Sequence, residues 1–252
     1  MLAIGGLLWV VIPPNNRQAA IELIPQGDQP RVVFVLFDLS GSARSMGEKY
    51  TDNFDKILST LKAGDRLIVD SITDNPLSQS TFPINEKFKT YGIFDRRGNP
   101  IFEPLNQKDL DEQKTNIKEK TNNLINNSKG AHTTAILDAL QLAERVFNTY
   151  ANGEKILVVF SDMLEVSKAR NFNFEKLAQL NIDTIIEQQR EAGELPNLNG
   201  VRVYVIGAGA GEENRRLKAE QWFDIQNFWL AYFTATGADL TKDRYGAALL
   251  EF

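Results

Sequence analysis

The sequence predicts an α/β fold: a doubly wound, mostly parallel central sheet flanked by helices, in a single domain with a hairpin insertion. Two observations lead to this prediction. Short runs of β-branched and apolar residues alternate with segments whose apolar residues recur at helical spacing. Most of the strand runs are apolar at nearly every position, as strands covered on both faces are. With 252 residues, 42% of them apolar, the chain is long enough to bury such a core.

Four runs have the character of buried strands. They are Arg31–Phe37, Arg66–Thr73, Lys155–Ser161 and Val201–Ile206. Strands that are joined through helices pair in parallel by right-handed crossovers. In such sheets the ligand site lies beyond the carboxyl ends of the strands, and we search for functional residues there.

Three segments have the spacing of amphipathic helices. The first is expected to begin at a capping box that starts at Ser45 and to stop at Gly64. The second covers Ala135–Asn148. The third, about Glu212–Thr236, carries a row of aromatic residues and ends before Gly237. We interpret that row as the stripe that packs on the sheet.

The stretch 76–104 departs from this alternation. We interpret it as an insertion with its own hairpin, Lys87–Phe94 paired with Asn99–Phe102. Because it follows the second strand, it leaves the sheet at the carboxyl edge. We expect Arg96-Arg97 to rim a site there, with a solvated loop as the alternative.

The Asn- and Lys-rich stretch Gln107–Ser128 also interrupts the pattern. At the other end of the chain, we treat residues 1–18 as an apolar segment and 19–252 as the domain. Met1–Ile12 is almost unbroken apolar sequence, but it is shorter than the about 20 residues that cross a bilayer. It is either the remnant of a membrane anchor or an apolar tail or first strand of the domain. We therefore favour a membrane-tethered or exported protein, with a cytoplasmic one as the alternative.

Composition excludes several kinds of chemistry. The chain has no cysteine and one histidine, which excludes thiol nucleophiles, disulfides and Cys-rich zinc sites. The net charge is -5 and no basic run stands out, so nucleic acid is not expected as a partner. There is no P-loop, and the glycine-rich run Gly207–Gly211 lacks the dinucleotide fingerprint. Any site must use carboxylates, hydroxyls, amides or backbone groups.

Oxygen-bearing side chains follow the ends of the predicted strands. Asp38, Ser40 and Ser42 come directly after the first strand, and in extended backbone these alternate side chains point the same way. Asp162 follows a second strand, and Thr134 lies at the start of a helix. Two carboxylates and three hydroxyls form an oxygen-only donor set that suits a hard divalent cation. The sequence therefore predicts a Mg²⁺ site, with Mn²⁺ or Ca²⁺ as alternatives.

This arrangement resembles the von Willebrand factor A (VWA) domain of bacterial type and its metal-ion-dependent adhesion site. The family signature is Asp-x-Ser-x-Ser after the first core strand, a Thr at the start of a later helix, and an Asp after the fourth strand. Asp38, Ser40 and Ser42 match the first element completely, and Asp162 matches the third. For the second we assign Thr134, with Thr133 as the close alternative. Where the family commonly has a glycine after the last Asp, this chain has Met163.

The resemblance implies a metal-dependent protein-binding module, for adhesion or as a scaffold, that is not an enzyme. In this interpretation one coordination position stays open for an Asp or Glu of a protein partner. Two alternatives stay open. One is a Mg²⁺-dependent phosphoryl-transfer or hydrolytic enzyme in which Asp38 and Asp162 bind the metal and activate water. The other is a structural scaffold with a degenerate metal site.

Overall fold

The structure is a computed structural model. It describes residues 30–41, 46–78, 81–88, 103–127, 134–167, 172–173, 181–210, 217–249 and 252. The predicted apolar segment 1–18 lies outside these residues, as do Ser42 and Thr133 of the predicted site.

Strands and helices alternate along the described chain. The strands are β1 (Arg31–Asp38), β2 (Arg66–Ile72), β3 (Ile84–Lys87), β4 (Glu154–Phe160), β5 (Val166–Ser167), β6 (Phe172–Asn173), β7 (Val201–Ile206) and β8 (Tyr245–Gly246). The helices are α1 (Gly47–Thr60), α2 (Glu103–Asn127), α3 (Ile136–Asn148), α4 (Ile182–Glu191) and α5 (Ala219–Ala235). The four predicted strands are confirmed, each to within one residue at either end.

Six strands form the central sheet in the order β3-β2-β1-β4-β7-β8. All neighbours pair in parallel except β2 and β3, which are antiparallel. The doubly wound, mostly parallel sheet is therefore confirmed. The chain runs outward from β1 to β2 and β3 and then returns to β4, on the other side of β1. The strand order thus reverses between β1 and β4.

The sheet separates two layers of core. Along β1, Val33, Val35 and Phe37 face one layer, which α1 and α2 complete. Phe34 and Leu36 face the other, which contains α3, α4 and α5. All five side chains are at most 1% exposed, so β1 is covered on both faces, as its continuous apolar sequence predicts.

Helix α1 differs from the prediction at its carboxyl end. It ends at Thr60 and not at Gly64, because Leu61 is already extended. Gly64 lies in the following turn, where its φ of 96° favours glycine. At the other end α1 begins at Gly47 without a side-chain cap, and the predicted capping residue Ser45 lies outside the described residues.

The Asn- and Lys-rich stretch is a helix of 25 residues, α2, and not a break. Its buried side chains form one narrow stripe, Ile117, Thr121 and Ile125, spaced by four. Most of the other side chains of the helix are polar, with Leu110 and Leu124 partly buried against the core, so its apolar periodicity is weak. Tertiary contacts with α1 hold it in place, including an ion pair between Lys118 and Asp55.

Part of the expected insertion belongs to the central sheet. Residues Ile84–Lys87 are β3, which runs antiparallel to β2 and returns the chain to the amino edge. There the N–H of Phe88 donates to the carbonyl of Asp65 at 2.8 Å. Residues 89–102, with most of the predicted hairpin and Arg96-Arg97, lie outside the described residues. The last described residue before that segment, Phe88, lies at the amino edge of the sheet, opposite to the predicted site. Its position does not support the prediction that Arg96-Arg97 rim the site.

Helix α5 is shorter than predicted and begins at Ala219. The N–H of Lys218 donates to Oε1 of Gln221 at 3.1 Å, which caps the helix at this point. Of the predicted aromatic row, Trp229, Tyr232 and Phe233 are buried in the core, while Trp222 is only partly buried. Phe228, which the row did not include, is buried with them. In the part of the chain that the structure describes, no helix combines the length and apolarity needed to cross a membrane.

A buried ion pair closes the amino edge of the sheet. The carboxylate of Asp65 accepts from the backbone N–H of Arg31 at 2.9 Å and from its guanidinium at 2.6 and 3.0 Å. It also accepts from the N–H of Lys62 at 2.9 Å. Asp65 is 4% exposed, so these bonds are shielded from water.

We expect Asp65→Ala to lower the free energy of unfolding by about 3 kcal/mol, because it removes the acceptor of the backbone N–H groups of Arg31 and Lys62 and leaves the Arg31 guanidinium without its carboxylate. Urea unfolding measures this change. Glu187→Ala is the control, since Glu187 pairs with Arg190 in solvent, and it should change stability by less than about 0.5 kcal/mol. Equal effects of the two variants would contradict the prediction.

Candidate metal site

The candidate site lies at the carboxyl ends of β1 and β4. These strands are parallel neighbours, with Phe37 opposite Phe160, so the residues that follow them lie side by side. The strand order reverses between these two strands. In open α/β sheets this switch point leaves a crevice at the carboxyl edge, and ligands bind there.

Asp38 is the last residue of β1, and its carboxylate is fully buried. Its Oδ1 accepts from the N–H of Ser40 at 3.0 Å, and its Oδ2 accepts from the hydroxyl of Ser161 at 2.7 Å. Burial raises the pKa of Asp38, while the hydrogen bonds from Ser40 and Ser161 oppose that rise. These donors are all neutral, so they orient the carboxylate without balancing its charge.

Asp162 lies two residues beyond β4 and is 1% exposed. Its Oδ1 accepts from the N–H of Leu164 at 3.1 Å, which closes a tight turn. The preceding hydroxyl, that of Ser161, donates to Asp38 and accepts from the N–H of Met163 at 2.9 Å. One serine therefore joins the two segments that carry the carboxylates.

Met163 takes the backbone conformation that a glycine would favour. Its φ is 65°, and it is the one residue other than glycine with positive φ among the described residues. Such a conformation costs about 1 kcal/mol for a residue with a Cβ. Hydrogen bonds hold Met163 on both sides: its N–H donates to Ser161, and its carbonyl accepts from Nε1 of Trp229 at 2.9 Å. The backbone at this position is therefore left-handed although the residue is a methionine and not a glycine.

Thr134 lies beside the same loop. It is 4% exposed and pairs with Val166 through two backbone hydrogen bonds of 3.1 Å. The N-terminus of α3 is capped by Glu165, whose Oε2 accepts from the N–H groups of Ile136 at 2.6 Å and Leu137 at 3.2 Å. A carboxylate from the neighbouring loop therefore satisfies two amides of this helix end.

Four of the five predicted ligands are buried: Asp38, Ser40, Thr134 and Asp162. Asp38, Ser40 and Asp162 lie at the ends of the paired strands β1 and β4, and Thr134 pairs with Val166 in the segment after β4. Ser42 lies outside the described residues, and so does Thr133, so the choice between the two threonines stays a prediction. No group of three or more His, Cys, Asp or Glu side chains gathers within the described ranges. The donor set is instead two carboxylates with hydroxyls, which fits a hard cation that keeps part of its water.

Two further buried carboxylates lie near this edge, Glu165 and Asp70, and neither belongs to a sequence motif. Asp70 lies within β2 on the same face as Ile68 and Ile72 and is 1% exposed. Its Oδ1 accepts from the N–H of Ser71 at 2.8 Å, and burial raises its pKa to about 6. A signal for it was visible, because it is the one acidic residue in an otherwise apolar run.

Asp70 makes stability depend on pH. Since its pKa is raised in the folded state, its neutral form is favoured by folding, and this contribution is lost as the pH rises through about 6. Between pH 4 and pH 8 the wild type should therefore lose about 2–3 kcal/mol of its free energy of unfolding through Asp70, and Asp70→Asn should not. The difference, Asp70→Asn minus wild type, should increase by the same amount. Urea unfolding at both pH values measures the difference. A difference that is constant or shrinks would contradict it.

Comparisons with known proteins identify neighbours in fold. No family model matches the chain, and no curated protein matches it. Among solved structures, a von Willebrand factor type A protein from Catenulispora acidiphila is 13% identical with a TM-score of 0.40; the match covers 83% of this chain and 43% of that one. The conserved hypothetical protein BatB from Bacteroides thetaiotaomicron is 14% identical with a TM-score of 0.40, over 83% and 88% of the two chains.

The pilus adhesin SpaC from Lactobacillus rhamnosus GG is a third neighbour. It is 9% identical with a TM-score of 0.40, and the match covers 84% of this chain and 30% of the adhesin. The chain thus spans less than half of the length of two of these three proteins. At such low identities and TM-scores the likeness carries no argument about what this chain binds.

Proposed function

We propose that this chain is a VWA-type protein-binding domain that captures a carboxylate of a partner through a bound Mg²⁺. Asp38, Ser40, Ser42, Thr134 and Asp162 would hold the cation. The observation that carries the proposal is the pair of buried carboxylates at the ends of β1 and β4, at the switch point of the sheet.

The electrostatics of the pair support a cation. Removing an ionised carboxylate from water costs several kcal/mol, and two in one place also repel each other. The donors to Asp38 among the described residues, Ser40 and Ser161, are neutral. A divalent cation would make the ionised form of both side chains favourable.

The chain's own residues prepare these ligands. Ser161 and the N–H of Ser40 hold both oxygens of Asp38, and the turn at Met163 fixes the direction in which Asp162 leaves β4. When bound, Mg²⁺ supplies positive charge and an open coordination position that an Asp or Glu of a partner can fill. Since both carboxylates are engaged in this way, neither is available as a general base, which favours binding over hydrolysis.

Isothermal titration calorimetry tests the metal site. We expect Mg²⁺ to bind the wild type and to bind Asp38→Ala and Asp162→Ala at least about tenfold more weakly, because each loses a charged ligand. Mg²⁺ at about one hundred times its Kd should stabilise the wild type by about 2.7 kcal/mol. Asp183→Ala is the matched control, since Asp183 is an exposed carboxylate on α4, and it should bind like the wild type.

The partner is tested by affinity capture in Mg²⁺ and in EDTA. A protein that is retained by the wild type in Mg²⁺ should be released by EDTA and should not be retained by Asp38→Ala. Mg²⁺ binding without a metal-dependent partner would contradict the capture of a carboxylate. Absence of Mg²⁺ binding would contradict the metal site itself and favour a scaffold.

A further inference from the structure

The hydroxyl of Tyr50 is a deeply buried polar group. Tyr50 lies in the first turn of α1 and is 1% exposed. Its ring packs against Phe37 and Phe160, with centroids 6.1 and 5.2 Å away. Among the described residues no atom forms a hydrogen bond with its hydroxyl. A buried hydroxyl in that state costs about 1–3 kcal/mol, and phenylalanine would fill the same space without this cost.

This hydroxyl lies beneath the candidate site. A Cβ added to Gly207 would come within 3.2 Å of the Tyr50 hydroxyl oxygen and 3.0 Å of the carbonyl oxygen of Ser161. The glycine, whose φ is 102°, thus leaves room where the tyrosine meets the loop after β4. The hydroxyl is also within electrostatic reach of both Asp38 and Asp162. Burial, and after it the charges of Asp38 and Asp162, raise the pKa of Tyr50, so the phenol stays neutral.

We infer that the Tyr50 hydroxyl belongs to the metal site and forms a hydrogen bond with a water molecule in the hydration shell of the bound cation. The inference rests on the proposed function. Mg²⁺ usually keeps several of its waters when proteins bind it, and each needs a hydrogen-bond partner. A water on a cation is a strong donor, and a neutral phenol oxygen can accept from it. The hydration shell of the cation would then supply the hydrogen-bond partner that none of the described residues gives to this hydroxyl.

The test is Tyr50→Phe, which removes one oxygen and keeps the ring. We expect its Kd for Mg²⁺, measured by calorimetry, to rise about three- to tenfold, as the loss of one hydrogen bond would cause. In EDTA its Tm should equal or exceed that of the wild type, because the unpartnered hydroxyl is gone. The rise of Tm on adding Mg²⁺ should be smaller than in the wild type. A role in folding alone would instead lower the Tm in EDTA and leave the Kd unchanged.

Tyr204→Phe is the matched control. Tyr204 is a second buried tyrosine of the same core layer, and its ring packs against Phe252. Its Kd for Mg²⁺ should equal that of the wild type. If the wild type binds Mg²⁺, Asp38→Ala does not, and Tyr50→Phe binds as well as the wild type, the inference about Tyr50 is overturned while the metal site stands. If the wild type itself does not bind Mg²⁺, the proposed function fails and the inference fails with it.

Discussion

The hydrogen bond from the hydroxyl of Ser161 to the carboxylate of Asp38 joins the ends of β1 and β4, and the candidate site depends on it. The bond forms because β1 and β4 are parallel neighbours in the sheet, which places residues 123 positions apart side by side. It is buried, so water does not compete for it. Through Ser161 it also reaches Met163, and thereby fixes the turn that presents Asp162. This contact therefore holds together the two strand ends that carry Asp38 and Asp162.

The loop after β4 is stabilised from several directions, which explains how it keeps a strained residue. The indole N–H of Trp229, on α5, donates to the carbonyl of Met163, and the carboxylate of Glu165 caps α3. Backbone bonds between Thr134 and Val166 join the loop to the start of that helix. A left-handed methionine persists where the surroundings determine its conformation in this way. The support makes the loop rigid, which suits a site whose ligands must hold a fixed geometry.

Much of this arrangement could be predicted from the sequence. Strands that are covered on both faces are continuous apolar runs, so β1 and β4 and the acidic residues that follow them were identified locally. Glu165 could not be assigned, because its partners lie 28 and 29 residues away and depend on tertiary structure. Helix α2 was missed because contacts with α1, and not its own periodicity, stabilise it. The role of Tyr50 was also hidden, since a tyrosine at a helical core position looks like an ordinary apolar residue.

A crystal structure of the chain grown with Mn²⁺ and recorded for anomalous scattering would test the central claim most directly. Mn²⁺ can take the place of Mg²⁺ at oxygen ligands, and its anomalous signal identifies its position. The account predicts one strong peak at the carboxyl edge of the sheet, within about 2.5 Å of oxygen atoms of the Asp38, Ser40 and Asp162 group or of their bound waters. Ordered side chains at this edge with no anomalous peak, or a peak only at other carboxylates, would contradict it.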